Sequence, residues 1–178
     1  DVKAATQKGV LVVNSPGGNT IAAAEHTIAM MLALSRNIPI ANSSTFQGKW
    51  ERKKFVGNEL FKKKLGVVGL GKIGTHVAKV ANALGMDVYG YDPFVSSERA
   101  QQLQVRLSEL KILFEESDYV TLHLPRTSET ENLVDMKVLK SMKKNAKLIN
   151  CARGGIIDEE ALAEALNNSL IGLSLIHI

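Results

Sequence analysis

The stretch from Leu65 to Asp92, LGVVGLGKIGTHVAKVANALGMDVYGYD, constrains the fold more than any other part of the chain. The apolar run Leu65–Val68 leads directly into Gly69-Leu70-Gly71-Lys72-Ile73-Gly74. A helical pattern follows, and a second apolar run, Asp87–Tyr91, ends on Asp92. A bare GxGxxG is weak evidence. Between a strand and a helix, with an acid 18 residues after its third glycine, it is the arrangement a dinucleotide site needs. Gly69 permits the tight turn, Gly71 leaves room for a pyrophosphate to approach the backbone, and Gly74 lets the helix pack close to the sheet. The free N–H groups near Lys72 and Ile73 would face the phosphates, where the helix dipole favours negative charge. Asp92 can accept hydrogen bonds from both hydroxyls of the adenosine ribose and would repel a 2′-phosphate. No basic residue adjoins it and the next downstream cation is Arg99, so NAD is expected over NADP.

The rest of the chain repeats the strand–helix alternation. Strands are expected at 65–68, 87–91, 119–123 and 147–150, with a short run at 104–107. Helices are expected at 72–84, 97–103, 108–115, 136–142 and 158–167, the last opened by Asp158, Glu159 and Glu160 at its positive end. Alternation of this kind predicts an α/β fold, a Rossmann-type doubly wound parallel sheet with ligands at the carboxyl ends of its strands. Upstream, residues 2–8 read as a helix end, Gly9–Val13 as a short strand and Asn14–Asn19 as a turn. A helix follows over 20–36 with Asn19 as a plausible N-cap. Residues 38–58 show no clear period and read as an ordered connection or a contact arm. No internal repeat or low-complexity tract is present.

At 178 residues the chain can hold one ordinary domain with a sizeable core. The net charge is +4, and lysines and arginines cluster at 49–54, 62–64 and 140–147. Trp50 and Phe55 flank the first cluster, which raises nucleic-acid binding. Yet 18 acidic residues nearly balance 22 basic ones and no nucleic-acid motif accompanies them, so the clusters read as solvated faces. The single cysteine, Cys151, excludes an internal disulfide and fits a reducing, cytoplasmic setting. The apolar stretch Ile21–Leu34 is interrupted by Glu25 and His26 and is too short to span a bilayer; no signal peptide is visible. The first residue is Asp rather than Met, so the native protein is expected to start earlier. No metal-ligand spacing is seen.

A second constellation follows the strand at 147–150: Asn150-Cys151-Ala152-Arg153-Gly154-Gly155. A guanidinium there can grip a carboxylate bidentately and polarise a neighbouring carbonyl. The residues alone leave this reading level with an ordinary surface arginine in a glycine turn.

With GLGKIG, YDP, LHLP and INCARGGIIDEEAL in this order and spacing, the chain resembles the NAD-binding domain of the D-isomer-specific 2-hydroxyacid dehydrogenases. NSPGGNTIAAAEHTIAMMLALSRNI and GKWERKKFVGNEL resemble the branch that oxidises D-3-phosphoglycerate to 3-phosphohydroxypyruvate on the way to serine. The resemblance runs from residue 1 to about Gly172. It implies a small 2-hydroxy or 2-oxo acid as substrate, NAD as cofactor, and a homodimer or higher homo-oligomer. The helix near 20–36 and the arm at 38–58 would lie at the interface. It also implies that Arg153 binds the substrate carboxylate and carbonyl oxygen. Lys72 and Ile73 would carry the pyrophosphate-facing amides, beside Gly69, Gly71 and Gly74, and Asp92 would hold the ribose. Leu124 and Pro125 would shape the adenine side, and Cys151 and Ala152 would line the nicotinamide side through their backbone. Asn19 matches a residue near the substrate, which an N-cap role explains equally well. His26 and His123 read as packing or helix residues rather than catalytic acids.

In the family a histidine exchanges the hydroxyl proton and a glutamate tunes it; both lie beyond the point where this chain ends. Residues 1–13 resemble the last piece of a substrate domain, residues 14–172 the NAD-binding domain, and 173–178, LSLIHI, the translation of a library-adapter sequence rather than native protein. The expectation is therefore a sheet truncated before its last strands and a fragment that does not turn over by itself. The same motifs would serve a dehydrogenase of glyoxylate, hydroxypyruvate or lactate, or a corepressor that senses dinucleotide.

Overall fold

The computed structural model describes residues 1–13 and 17–176. In chain order the elements are α1 (Val2–Gln7), α2 (Thr20–Arg36), α3 (Ile38–Phe46) and a 3-10 turn at Arg52–Phe55. Then come β1 (Lys64–Val68), α4 (Lys72–Ala83), β2 (Asp87–Tyr91), α5 (Ser97–Gln102), β3 (Arg106–Leu107) and α6 (Leu110–Glu116). The last are β4 (Tyr119–Leu122), α7 (Met136–Ser141), β5 (Lys147–Asn150), α8 (Glu159–Asn167) and β6 (Leu173–Ile176). The sheet runs β3-β2-β1-β4-β5-β6 and every pair is parallel. The chain winds outward from β1 in one direction through β2 and β3, then returns to β4 and winds the other way. The reversal between β1 and β4 is the switch point at which a crevice opens in such sheets.

Central strands that are buried on both faces form two cores. Leu65, Val67, Tyr119 and Ile149 face α2 and α4 with Met31, Val77, Ala78 and Ala81. Val68, Val120, Leu122 and Leu148 face the other way, onto Leu113, Phe114, Leu139, Leu162 and Ala165. This is the two-residue alternation of a strand read on both sides. Gly66 shows how tight the second layer is: a Cβ there would lie 2.4 Å from Leu113 Cδ2. Four helices begin on side-chain caps, from Asp1, Ser96, Asp135 and Asp158, each accepting from the backbone N–H three residues on.

Three segments differ from the sequence expectation. Gly9–Val13 is not a strand: Leu11 and Val13 are 86% and 78% exposed, and no strand among the described residues offers them a partner. Residues 38–58, expected without regular structure, contain α3 and the 3-10 turn. Pro39 suits the first turn of α3, where a missing N–H costs nothing, while Ile38, Ile40 and Phe46 are all exposed, so no buried apolar stripe marks the helix. The chain after α8, expected to be a foreign tail, runs as β6 beside β5, Lys147 opposite Leu173 and Asn150 opposite Ile176. Backbone pairing at a sheet edge is indifferent to side-chain identity, so this strand is silent on the origin of LSLIHI. Part of the expected turn, Asn14–Pro16, and His177 lie outside the described residues.

Candidate cofactor and active site

The loops after β1, β2, β4 and β5 meet at the carboxyl edge of the sheet. Gly69 leaves β1 with φ +94 and donates its N–H to Tyr91 O at 2.8 Å; a Cβ there would lie 2.5 Å from His123 O. The turn is thus wedged between the ends of β2 and β4, in a conformation that glycine adopts without strain. Gly71 stands at the N-cap of α4 with nothing within 4 Å of its would-be Cβ, whereas a Cβ on Gly74 would lie 1.9 Å from Gly69 O. The first-turn N–H groups of Lys72 and Ile73 have no intrahelical acceptor and open onto the space that Gly71 leaves. Asp92 follows β2. Its Oδ2 accepts from Leu70 N at 2.8 Å and its Oδ1 from Phe94 N at 2.9 Å. Each oxygen keeps a second lone pair, so the carboxylate braces the glycine turn and can still receive hydroxyls. Unfilled space at Gly71, free helix-terminal donors and a braced carboxylate fit a dinucleotide diphosphate and its ribose.

Beside this turn lies a cavity of about 390 Å³ lined by Asn19, Ala23, Ile73, His123, Leu124, Pro125, Arg126, Cys151, Ala152 and Arg153. The fold therefore brings together seven of the residues singled out from sequence, drawn from α2, α4 and the loops after β4 and β5. Gly69, Gly71, Lys72, Gly74 and Asp92 flank the cavity instead of lining it. Asn19 occupies the N-cap position of α2 without a side-chain capping bond, and its amide borders the cavity. The Arg153 side chain is exposed there, with Nη1 donating to Ala152 O at 2.7 Å. That leaves most of the guanidinium's donors available to a carboxylate.

Three residues that sequence reasoning gave no role organise the loop carrying Arg153. Asn150 is buried; its Nδ2 donates to Arg153 O at 2.9 Å and its Oδ1 accepts from Ala152 N at 3.0 Å. An asparagine at a strand end just before a turn was the available signal. Arg126 pairs with Glu131, and its guanidinium lies where a Cβ on Gly155 would sit, 2.8 Å from Cζ. Asn132 N donates to Gly155 O at 2.9 Å. No local pattern announces Arg126 or Asn132, because each acts across two loops.

Two groups at the cavity, His123 and Cys151, are held in their neutral forms by burial. Burial lowers the His123 pKa to about 4; its ring is enclosed although the residue as a whole is partly exposed, and Nε2 lies 3.0 Å from Thr121 Oγ1. Burial raises the Cys151 thiol, against a smaller opposing effect of the Thr27 hydroxyl, so it is protonated at neutral pH and is no nucleophile. Among the described residues no group of three or more His, Cys, Asp or Glu side chains could hold a metal ion, and no helix is long and apolar enough to cross a membrane.

Known proteins resemble this chain in sequence and in fold. The chain is 60% identical over 172 residues to D-3-phosphoglycerate dehydrogenase of Synechocystis sp., an alignment covering 97% of this chain and 31% of that one. It is 51% identical over 178 residues to D-3-phosphoglycerate dehydrogenase of Archaeoglobus fulgidus, covering 100% of this chain and 34% of that one. The chain thus spans about a third of the length of these curated relatives. The apo-structure of D-lactate dehydrogenase from Escherichia coli superposes with a TM-score of 0.92 at 35% identity, over 99% of this chain and 56% of that one. The profile of the D-isomer specific 2-hydroxyacid dehydrogenase NAD binding domain matches residues 28–176, and with the glycine turn, Asp92 and the Arg153 loop it places this chain in that family.

Proposed function

We propose that this chain is the NAD-binding part of an enzyme that oxidises D-3-phosphoglycerate to 3-phosphohydroxypyruvate. One observation carries the chemistry: an exposed arginine, Arg153, shares a cavity with Ile73, Cys151 and Ala152 directly beside the glycine turn. When bound, NAD supplies the hydride acceptor for C2 of a 2-hydroxy acid. The Lys72 and Ile73 amides hold the diphosphate at the α4 N-terminus, and Asp92 holds the adenosine ribose. Leu124 and Pro125 shape the adenine side. Cys151 and Ala152 present backbone and small side chains to the nicotinamide side. Arg153 binds the substrate carboxylate and polarises the oxygen on C2, and Asn19 orients the substrate from the start of α2. His123 stays neutral and holds the wall of the cavity. The proton acceptor comes from the remainder of the longer protein, consistent with the third of its relatives that this chain covers.

Residues 1–13 belong to the neighbouring substrate domain and 14–172 to the NAD-binding domain, with 173–178 a non-native tail. The protein acts in the cytoplasm as a homodimer or higher homo-oligomer. Identity of 60% and 51% to phosphoglycerate dehydrogenases, against 35% to the lactate dehydrogenase, favours the phosphorylated substrate over lactate.

The purified chain should bind NADH in a fluorescence titration at least about tenfold more tightly than NADPH, and Asp92→Ala should weaken NADH by a similar factor. Equal affinity for the two cofactors would remove the assigned role of Asp92. In the full-length protein, Arg153→Ala should lower kcat/KM for D-3-phosphoglycerate by roughly a hundredfold or more. Turnover of D-lactate in preference to D-3-phosphoglycerate would overturn the substrate assignment.

A further inference from the structure

A cavity of about 590 Å³ lies at the opposite end of the sheet from the site above. It is bounded by the starts of β4 and β5 and the residues just before β1 and β6: Lys63, Asp118, Tyr119, Lys147 and Gly172. Lys143, Lys144 and Asn145, between α7 and β5, close one side. Leu34 and Asn37, at the end of α2, and Asn58 close the other. Two of the basic clusters in the sequence, 62–64 and 140–147, remain largely solvent-exposed as expected and also send lysines to the rim of one concave site.

Four lysines face one carboxylate here. Lys143 Nζ lies 2.9 Å from Asp118 Oδ1, and Lys147 Nζ sits 4.8 Å above the Tyr119 ring and 3.4 Å from its hydroxyl. Lys63 and Lys144 have no ion pair among the described residues. Burial tends to raise the Asp118 carboxyl, but Lys143, the Lys64 backbone N–H and the charge of Lys63 outweigh it, so its pKa is lowered and the one negative group is already engaged. Clustered like charges repel, and nothing in the packing demands four of them. Neutralising the ends of α2 and α7 does not require them either, because those helices carry Arg36 and Lys140 in their own last turns. Three asparagine amides, Asn37, Asn58 and Asn145, add neutral donors, while Leu34 and the Tyr119 ring supply an apolar floor.

The geometry points to a second ligand site at this edge of the sheet, for a small metabolite carrying at least two negative charges as phosphate or carboxylate. The concave site, at about 590 Å³, has room for a small metabolite. Lys63 and Lys144 supply the unpaired cations, the asparagine side chains fix orientation, and the Asp118–Lys143 pair rejects a second cation. The site is at the far edge of the domain from the dinucleotide cleft and stands whether or not the dehydrogenase assignment holds.

The test is an amide-resonance titration of the chain with inorganic pyrophosphate and, separately, citrate, with NADH present to occupy the dinucleotide cleft. Saturable shifts confined to Lys63, Asp118, Asn145 and their neighbours are expected. Lys63→Gln combined with Lys144→Gln should weaken binding by about tenfold or more, and the Arg pair at the same positions should restore it. Thermal melting and NADH affinity, unchanged in both variants, separate loss of the site from loss of the fold. Non-saturable shifts spread over all surface lysines, or equal affinity in the Gln variant, would overturn the proposal. So would an acidic peptide that binds more tightly than either small anion, which would make the site a protein contact.

Discussion

Gly71 and Gly74 stand three residues apart in one turn and answer to different constraints. Gly74 is required by the fold, since its Cβ would overlap a backbone carbonyl at 1.9 Å; Gly71, at φ −68 with open space around it, is required only by what approaches it. Gly74→Ala should therefore cost about 3 kcal/mol of stability in a urea melt and lose NADH binding as a consequence. Gly71→Ala should melt within about 1 kcal/mol of the parent yet bind NADH at least tenfold more weakly. If Gly71→Ala bound NADH normally, the diphosphate would not lie over that glycine. His123 makes a pH prediction. Its folded pKa of about 4 lies below the unfolded value near 6.5, so in that interval the unfolded chain takes up a proton that the native state refuses. Stability should fall as pH drops from about 6.5 to about 4, by roughly 2–3 kcal/mol from this group, and then stop falling on its account. Urea melts of parent and His123→Gln across that range should converge toward low pH; parallel curves would mean the ring titrates normally.

At the scale of elements, α2 is seated on the sheet by a buried polar contact as well as by its apolar face. The Ser35 and Tyr119 hydroxyls are 2.9 Å apart, Ser35 Oγ donates to Met31 O at 2.6 Å, and Met31 is fully buried below. Tyr119→Phe keeps the ring and removes the link. It should cost about 1 kcal/mol and lower Tm by roughly 2–4 °C in calorimetry. The elements also separate what a local pattern reveals from what it hides. β1, α4 and β2 were legible almost to the residue, because buried strands and a one-sided helix carry their periods openly. α3 was not, because it buries only Ser44 and turns its isoleucines outward. The run Val10–Val13 looked like a strand because it is apolar, but strand formation is a property of a pair, and its partner had to be known.

Across the whole molecule, exposed large apolar side chains occur at several places, Leu11, Val13 and Phe94 among them, and one segment carries a run of them. Phe46 and Trp50 are each 85% exposed, with Ile38, Ile40 and Val56 also uncovered, and such a patch is uncommon on a monomer. On the homodimer reading, Trp50→Glu should shift the protein toward monomer in sedimentation velocity at micromolar concentration, while leaving the secondary-structure spectrum unchanged. A parent protein that sediments as a monomer at every concentration would refute the assigned interface.

The fold class and the cofactor turn are written in residues close together, a glycine turn between strand and helix and an acid at a strand end, whereas the loop around Arg153 was marked only as an arginine among small residues, open to either a substrate-binding or a bland reading. It took the folded chain to bring Asn19, Ile73, Pro125 and Arg153 to one cavity, to set Arg126 and Asn132 against the loop from outside, and to converge two separate lysine clusters on the far edge of the sheet. The physical reason is that a period or a turn is a property of neighbours along the chain. A cavity is a property of strand order, and strand order is settled by the burial of both sheet faces at once.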